Sequence, residues 1–186
     1  MAVSTGPPQP KPGMQTLEQL MELYQRSGSE AGTALVETLT RQVFQFFLKQ
    51  ARNRADAEDL LQEFWLRIHN ARRTYRPGEP VLPWIYAIAH RVRVDHYRRT
   101  KRVIDHERVD ENLARAAAPQ SSAAGPGIAE LLKKLPESQR EVILLMKVAG
   151  LTLEEVARAT GSSIGAVKQK AHRGYEKLRS MFGEAK

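Results

Sequence analysis

The sequence lacks cysteine, carries aromatic residues at only 6% of its positions and contains no long apolar run. Without cysteine there is no disulfide framework, no thiolate zinc site and no cysteine nucleophile, which agrees with a reducing compartment. A membrane-spanning helix needs about 20 consecutive apolar residues, and the Pro-rich start has no hydrophobic signal core. We therefore expect a soluble cytoplasmic protein with no membrane association, no bound metal and no cofactor.

Basic residues outnumber acidic ones, and the excess is unevenly distributed. The formal net charge is +8 at pH 7, which favours a polyanionic partner, nucleic acid first and an anionic membrane second. Residues 1–102 carry sixteen basic and ten acidic side chains, residues 103–127 carry two and four, and residues 128–186 carry eleven and seven. Two basic blocks therefore flank an acidic connector.

The composition along the chain predicts an all-α protein with two small helical domains. Residues 1–13 hold four of the ten prolines and are expected to form a disordered tail. Residues 14–102 have the apolar periodicity of helices and form the first domain. Residues 103–127 include an Ala, Pro, Gly and Ser stretch and are predicted to be a flexible acidic linker. Residues 128–186 form the second helical domain.

A turn-rich loop from Arg76 to Pro80 leads into a helix predicted from Pro83 to Arg102. At about 100° per residue, one side of this helix is apolar and the other collects Tyr86, His90, Arg93 and Tyr97. Rings stack on exposed bases and guanidinium groups neutralise phosphates, so this face suits an opened nucleic acid. The alternative is a solvated basic face with ordinary part-buried tyrosines.

An acidic helix is predicted to begin at Asp56, ahead of the loop. Its first turns are rich in carboxylates, which complement the helix dipole. Its outer surface gathers Asp59, Gln62 and Glu63. On a basic protein such a patch indicates a basic protein partner, or it is simply solvated.

The second domain has the spacing of a helix-turn-helix. Capping boxes are predicted at Ser138-x-x-Glu141 and at Thr152-x-x-Glu155. Ala157, Gly161 and Val167 supply a small contact residue, a turn glycine and a branched anchor, as the motif requires. The final helix presents polar groups that suit base edges and phosphates, namely Gly165, Lys168, Gln169, His172 and Arg173. The alternative is an ordinary bundle of three or four helices with a polar surface helix.

Motifs in both domains resemble bacterial RNA polymerase sigma factors of the extracytoplasmic-function type. In the first domain the matching runs are DAEDLLQEFW from Asp56, PWIYAIAH from Pro83 and DHYRR from Asp95. In the second domain they are LPESQREV from Leu135, GLTLEEVA from Gly150 and AVK from Ala166. The resemblance covers roughly Leu17 to Leu178 apart from the linker, and it is specific because two unrelated motifs occur in the family's order.

The resemblance implies an alternative sigma factor that binds core RNA polymerase, recognises promoter minus-35 and minus-10 elements and promotes melting. By resemblance, the clamp helices of the largest subunit are bound by Asp56, Glu58, Asp59, Gln62 and Glu63. The minus-10 element, including its melted non-template strand, is bound by Arg76, Trp84, Tyr86, His90, Arg93, Tyr97 and Arg98. The minus-35 duplex is read by Ser163, Gly165, Lys168, Gln169, His172 and Arg173.

The family also implies further partners and no covalent chemistry. The loop from Arg76 to Leu82 would capture a flipped base, the linker would thread toward the RNA exit path, and the flap of the second-largest subunit would be contacted. An anti-sigma factor is a further expected partner. A free-standing helix-turn-helix regulator is the alternative, but it leaves the acidic patch unexplained. An enzyme is disfavoured and no catalytic residue is expected, because the Asp95-His96 and Asp105-His106 pairs match no metal-ligand spacing.

Overall fold

The computed structural model describes residues 15–27, 29–110 and 128–183, and every regular element in those ranges is a helix. The all-α fold class is therefore confirmed. The predicted tail, residues 1–13, and most of the predicted linker, residues 111–127, lie outside the described residues. Among the described helices, none combines the length and the apolar content that crossing a membrane requires.

The first domain consists of four α-helices around an aromatic core. They are α1 (Leu17–Ser27), α2 (Ser29–Leu48), α3 (Arg54–Ala71) and α4 (Val81–Asp110), with a short 3-10 turn at Arg72–Thr74 after α3. Rings from three of them meet edge to face: the Phe46 centroid lies 5.3 Å from that of Tyr86, and the Phe47 centroid lies 5.9 Å from that of Phe64. All four rings are fully buried, so α2, α3 and α4 share one core.

Helix α4 is longer at both ends than the sequence predicted. It begins at Val81 rather than Pro83, and the backbone amide of Val81 donates to Glu18 Oε1 of α1 over 3.2 Å. It ends at Asp110 rather than Arg102, eight residues inside the predicted linker. The reason is compositional, because residues 103–110 contain neither proline nor glycine to stop a helix.

The second domain contains α5 (Ile128–Lys133), α6 (Glu137–Lys147), α7 (Leu153–Thr160) and α8 (Ile164–Gly183). Gly161 ends α7 in the left-handed conformation, with φ 63° and ψ 27°, which glycine adopts without strain. Ala157 and Val167 are both buried, and α7 packs on α8. The predicted helix-turn-helix is therefore confirmed.

One of the two predicted capping boxes is present and the other is wrong. Thr152 Oγ1 accepts from the amide of Glu155 over 3.2 Å, and the amide of Thr152 donates to Glu155 Oε2 over 2.8 Å. At α6 the N-cap is Pro136, so Ser138 already lies inside the helix and makes no cap. Glu141 is thereby free to turn its carboxylate toward the first domain.

The two domains contact each other through α4 and α7 and through a hydrogen bond near the end of α6. Gln42 Nε2 of α2 donates to the carbonyl of Val148 over 2.7 Å. Buried residues of the two domains form one continuous apolar cluster. The described chain is consequently closed, with the second domain lying against the first.

The two predicted caps give a matched pair of substitutions. Thr152→Ala removes a hydrogen bond that holds the first turn of α7, and it should cost about 1 kcal/mol of stability. Ser138→Ala, at an exposed position that makes no cap, should change stability by less than about 0.5 kcal/mol. Urea unfolding monitored by circular dichroism measures both. Equal losses for the two variants would contradict the cap assignment.

Candidate nucleic-acid interface

The acidic surface of α3 is present, but most of its carboxylates are paired within the chain. Asp56 pairs with Arg52, Glu58 with Arg54 and Glu63 with Arg67, at N to O distances of 2.9, 2.8 and 2.8 Å. Asp59 and Gln62 are exposed. In the part of the chain that the structure describes, Asp59 is the carboxylate of this surface with no ion pair. Its charge is the one most available to a partner.

Leu66 is a member of this surface that the sequence reasoning missed. Its side chain is 57% exposed, and it lies one turn beyond Gln62 and Glu63 on the same side of α3. A large apolar side chain beside exposed polar groups is typical of a protein contact. The signal in the sequence was a leucine on the polar side of the helical wheel.

Arg67 ties the acidic surface to α4. Its Nη1 donates to Asp95 Oδ2 over 2.7 Å, and its Nε donates to Glu63 Oε1 over 2.8 Å. Burial on its own lowers the pKa of Arg67, but the hydrogen bonds and charges of Asp95 and Glu63 outweigh it and raise the pKa. This bridge adds a polar contact between α3 and α4 to their apolar packing.

The loop before α4 is anchored by two aromatic side chains. Tyr75 is buried and its hydroxyl donates to the carbonyl of Glu79, while Trp84 Nε1 donates to Thr74 Oγ1 over 3.3 Å. The Tyr75 and Trp84 centroids are 5.7 Å apart. Beside them lies a cavity of about 340 Å³, which is also lined by Arg76 and by Arg158 of the second domain. Trp84 is half-buried and Arg76 is exposed.

The expected ring-and-cation face of α4 is only partly exposed. Tyr97 is 51% exposed, Arg98 is exposed and His90 is half-buried. Tyr86 is fully buried against Phe46, so the expectation that it lies on an open face is wrong. Burial raises the pKa of the Tyr86 phenol far above its ordinary value. Tyr86 is buried because α2, through Phe46, packs on the side of α4 that carries it.

Arg93 is also buried, because the second domain covers it. Its Nε donates to Glu141 Oε1 over 3.0 Å, and its Nη2 donates to Glu141 Oε2 over 2.8 Å. Its Nη1 contacts Glu137, and His90 Nδ1 lies 2.7 Å from Glu141 Oε1. We call these four residues the interdomain ion cluster. The expectation that Arg93 lies on an open face is therefore wrong for this arrangement of the domains.

Glu141 is ionised although it is buried. Burial on its own raises the pKa of a carboxyl, but the hydrogen bond from His90 and the charge of Arg93 outweigh it. The pKa of Glu141 consequently lies below its ordinary value. Separating Glu141 from Arg93 would leave an uncompensated buried charge, so removing either partner alone should be strongly destabilising.

The predicted reading surface of α8 is open to solvent. Its six residues are all exposed. Ser163 directly precedes the helix, and the other five lie in its N-terminal half, namely Gly165, Lys168, Gln169, His172 and Arg173. Ser163 Oγ accepts from the amide of Ala166 over 3.2 Å and so caps the helix. A helix-turn-helix with an exposed second helix has the geometry of a major-groove reader.

Comparison with known families assigns both domains. Residues 35–103 match the Sigma-70 region 2 family, and residues 127–178 match the Sigma-70 region 4 family. The RNA polymerase sigma factor CarQ of Myxococcus xanthus is 35% identical over 167 residues, which make up 88% of this chain and 96% of that protein. The chain belongs to the RNA polymerase sigma factors of the extracytoplasmic-function type.

A second relative agrees with this assignment. The sigma factor SigF of Caulobacter vibrioides is 32% identical over 136 residues, which cover 70% of this chain and 73% of that protein. The resemblance that the sequence motifs indicated is therefore confirmed, and the protein is an alternative sigma factor of transcription initiation. Its relatives are sigma factors, which are transcription regulators and not enzymes.

Two solved structures have the same fold. CnrH, in complex with the cytosolic domain of CnrY, covers 91% of this chain and 98% of its own length, with a TM-score of 0.68 at 23% identity. RpoE, in complex with the anti-sigma factor NepR from Bartonella quintana, covers 83% and 98%, with a TM-score of 0.70 at 20% identity. At these sequence identities, the structural similarity shows a shared fold.

The free energy of unfolding distinguishes the buried position of Tyr86 from the exposed position of Tyr97. Tyr86→Ala empties a fully buried ring site and should cost about 3–5 kcal/mol. Tyr97→Ala removes a half-exposed ring from the surface and should cost less than about 0.5 kcal/mol. Urea unfolding of the full chain gives both values. Similar losses for the two variants would mean that the core position of Tyr86 is incorrect.

Proposed function

We propose that this sigma factor binds core RNA polymerase through the acidic surface of α3 and delivers two DNA-reading helices to a promoter. One observation carries the proposal. The chain joins a region 2 whose exposed carboxylate Asp59 has no ion pair among the described residues to a region 4 with an exposed second helix in its helix-turn-helix. The clamp helices of the largest polymerase subunit are the partner of α3. The flap of the second-largest subunit is the partner of the second domain.

Helix α8 reads the minus-35 element as duplex. Gln169 can pair with adenine, and Lys168 and Arg173 can pair with guanine acceptors or phosphates. Gly165 has open space around it, because a Cβ at that position would meet no atom within 4 Å. The duplex can therefore come close to the helix at its N-terminal turn.

Helix α4 and the loop before it bind the minus-10 element as it opens. Tyr97 and Arg98 are exposed and supply a stacking surface and a positive charge. Stacking is worth about 1–3 kcal/mol per base, which offsets the cost of unpairing a short segment. The cavity beside Trp84 and Arg76 is the site for a flipped base. Catalysis remains with the polymerase, and the sigma factor contributes binding energy alone.

An anti-sigma factor is the proposed regulator, and the cytoplasm is the proposed location. The support for this regulator is a solved structure of like fold, which contains RpoE in complex with the anti-sigma factor NepR. Purification of a tagged chain from its own cells, followed by identification of the retained proteins, tests this partner.

Transcription with purified components tests the central proposal. Core polymerase plus the full chain should start RNA synthesis at a defined position on a promoter, while core polymerase alone should not. Binding of duplex DNA by the chain without any specific start site would instead support the free-standing regulator.

Charge reversal on α3 tests the polymerase contact. Asp59→Arg places a positive charge against the proposed basic partner and should weaken binding of core polymerase at least about tenfold. Glu37→Arg, at an exposed position of α2, makes the same charge change away from this surface and serves as the control. Fluorescence anisotropy of the labelled chain measures both affinities. Equal affinities for the two variants would exclude this surface as the docking site.

Alanine substitutions on α8 test duplex reading. Lys168→Ala, Gln169→Ala and Arg173→Ala combined should weaken holoenzyme binding to a complete duplex promoter about 100-fold. On a template truncated to a pre-melted minus-10 bubble, the same variant should bind as the wild type does. The control is Lys177→Ala with Arg179→Ala, which removes the same charge from exposed positions farther along α8. Equal losses on both templates would contradict the assignment of α8.

A further inference from the structure

A cavity of about 410 Å³ lies between the middle of α4 and helix α6 of the second domain. The residues that follow α2 and the start of α3 complete its walls. Among the described residues, it shares no lining residue with the cavity beside Trp84. Its volume falls in the range of about 300–1,000 Å³ that is usual for small-molecule sites. Several of its polar side chains have no part in the proposed function.

Arg140 of α6 brings a positive charge to this cavity that no described carboxylate pairs with. The residue is half-buried, and its Nε is buried without a hydrogen-bond partner among the described residues. The nearby carboxylates of Glu137 and Glu141 are both held by Arg93. Burial and the charge of Arg93 outweigh these two carboxylates and lower the pKa of Arg140. An anion bound beside Arg140 would compensate its charge.

The carboxylates in the wall of the cavity are already neutralised. Asp56 pairs with Arg52 over 2.9 Å, and Glu137 contacts Arg93. Lys101 of α4 also lines the cavity and makes no ion pair with any described residue. Together with the arginine of α6, it leaves two positive charges in the wall without compensation. The cavity therefore favours a ligand that carries more than one negative charge.

The same wall offers a surface for a planar ring. Tyr97 is 51% exposed and lines the cavity together with the apolar side chains of Ala51 and Leu60. Aromatic side chains stack on any nucleobase, because every base has a π face. His96, which is half-buried in the same wall, adds a group that can donate or accept a hydrogen bond. A ring and an anionic group can therefore be bound side by side.

We propose that this cavity binds a free nucleotide that carries at least two phosphate groups. The phosphates lie against Arg140 and Lys101, and the base stacks on Tyr97. A guanidinium takes two phosphate oxygens through parallel N–H donors, and the two uncompensated cations match the charge of a diphosphate. Because Arg140 belongs to the second domain and the other two residues to the first, one ligand contacts both domains. The polymerase and promoter contacts are not needed for this binding.

Titration calorimetry of the full chain with ADP, at about 0.15 M salt, tests the site. Wild type should bind one ADP per chain, inorganic pyrophosphate should compete with ADP, and adenosine should not. Arg140→Gln should weaken ADP binding at least about tenfold. Arg179→Gln, the same change at an exposed position of α8 outside the cavity, should alter the affinity less than about twofold. Tyr97→Leu should weaken binding of ADP but not of pyrophosphate.

Urea unfolding separates a binding role of Arg140 from a structural role. Because its charge is half-buried and unpaired, Arg140→Gln should leave the unfolding midpoint of the ligand-free chain unchanged or raise it. ADP should raise the midpoint of wild type and not that of the variant. Lys101→Gln, at an exposed position, provides a second test of the phosphate contact and should also weaken ADP binding.

Three results would overturn the inference. The first is the absence of saturable ADP binding by wild type. The second is an equal loss of affinity for Arg140→Gln and Arg179→Gln, which would show unspecific attraction to a basic protein. The third is displacement of ADP by a single-stranded DNA of 12 nucleotides at a lower concentration than pyrophosphate requires, which would assign the cavity to a DNA strand. The proposed function is tested separately, by association with core polymerase in the absence of nucleotide.

Discussion

The arrangement of this sigma factor depends on one buried salt bridge, between Arg93 of region 2 and Glu141 of region 4. Each charge is costly to remove from water, and each is matched by the other through two hydrogen bonds. Sliding or rotating one domain would separate them and leave a buried charge without compensation. The pair therefore selects a single orientation of the domains, while the surrounding apolar contacts supply most of the attraction.

This constraint divides the functional residues into two groups. The reading residues of α8 and the carboxylate of Asp59 face solvent in the closed arrangement. Arg93 and much of the loop cavity face the other domain.

Region 2 is held together by its buried aromatic side chains. Its aromatic core joins α2, α3 and α4, and Arg67 adds an ion pair between α3 and α4. The acidic surface of α3 and helix α4 therefore belong to one packed unit. The contact between the regions depends on a few polar groups and on the packing of α7 against α4.

The sequence by itself determined the helices and the helix-turn-helix, because periodicity, the Thr152 cap and the Gly161 turn act within a few residues of the chain. The family was indicated by the resemblance of its motifs. The sequence also placed five polar or small residues of α8 on the outside, namely Gly165, Lys168, Gln169, His172 and Arg173. It was wrong about the cap at Ser138 and about the exposure of Tyr86 and Arg93. Those three depend on where Pro136 starts a helix and on which distant elements cover α4. Only the tertiary structure decided these points, since burial of a helix flank is a property of its neighbours in space and leaves no local pattern in the sequence.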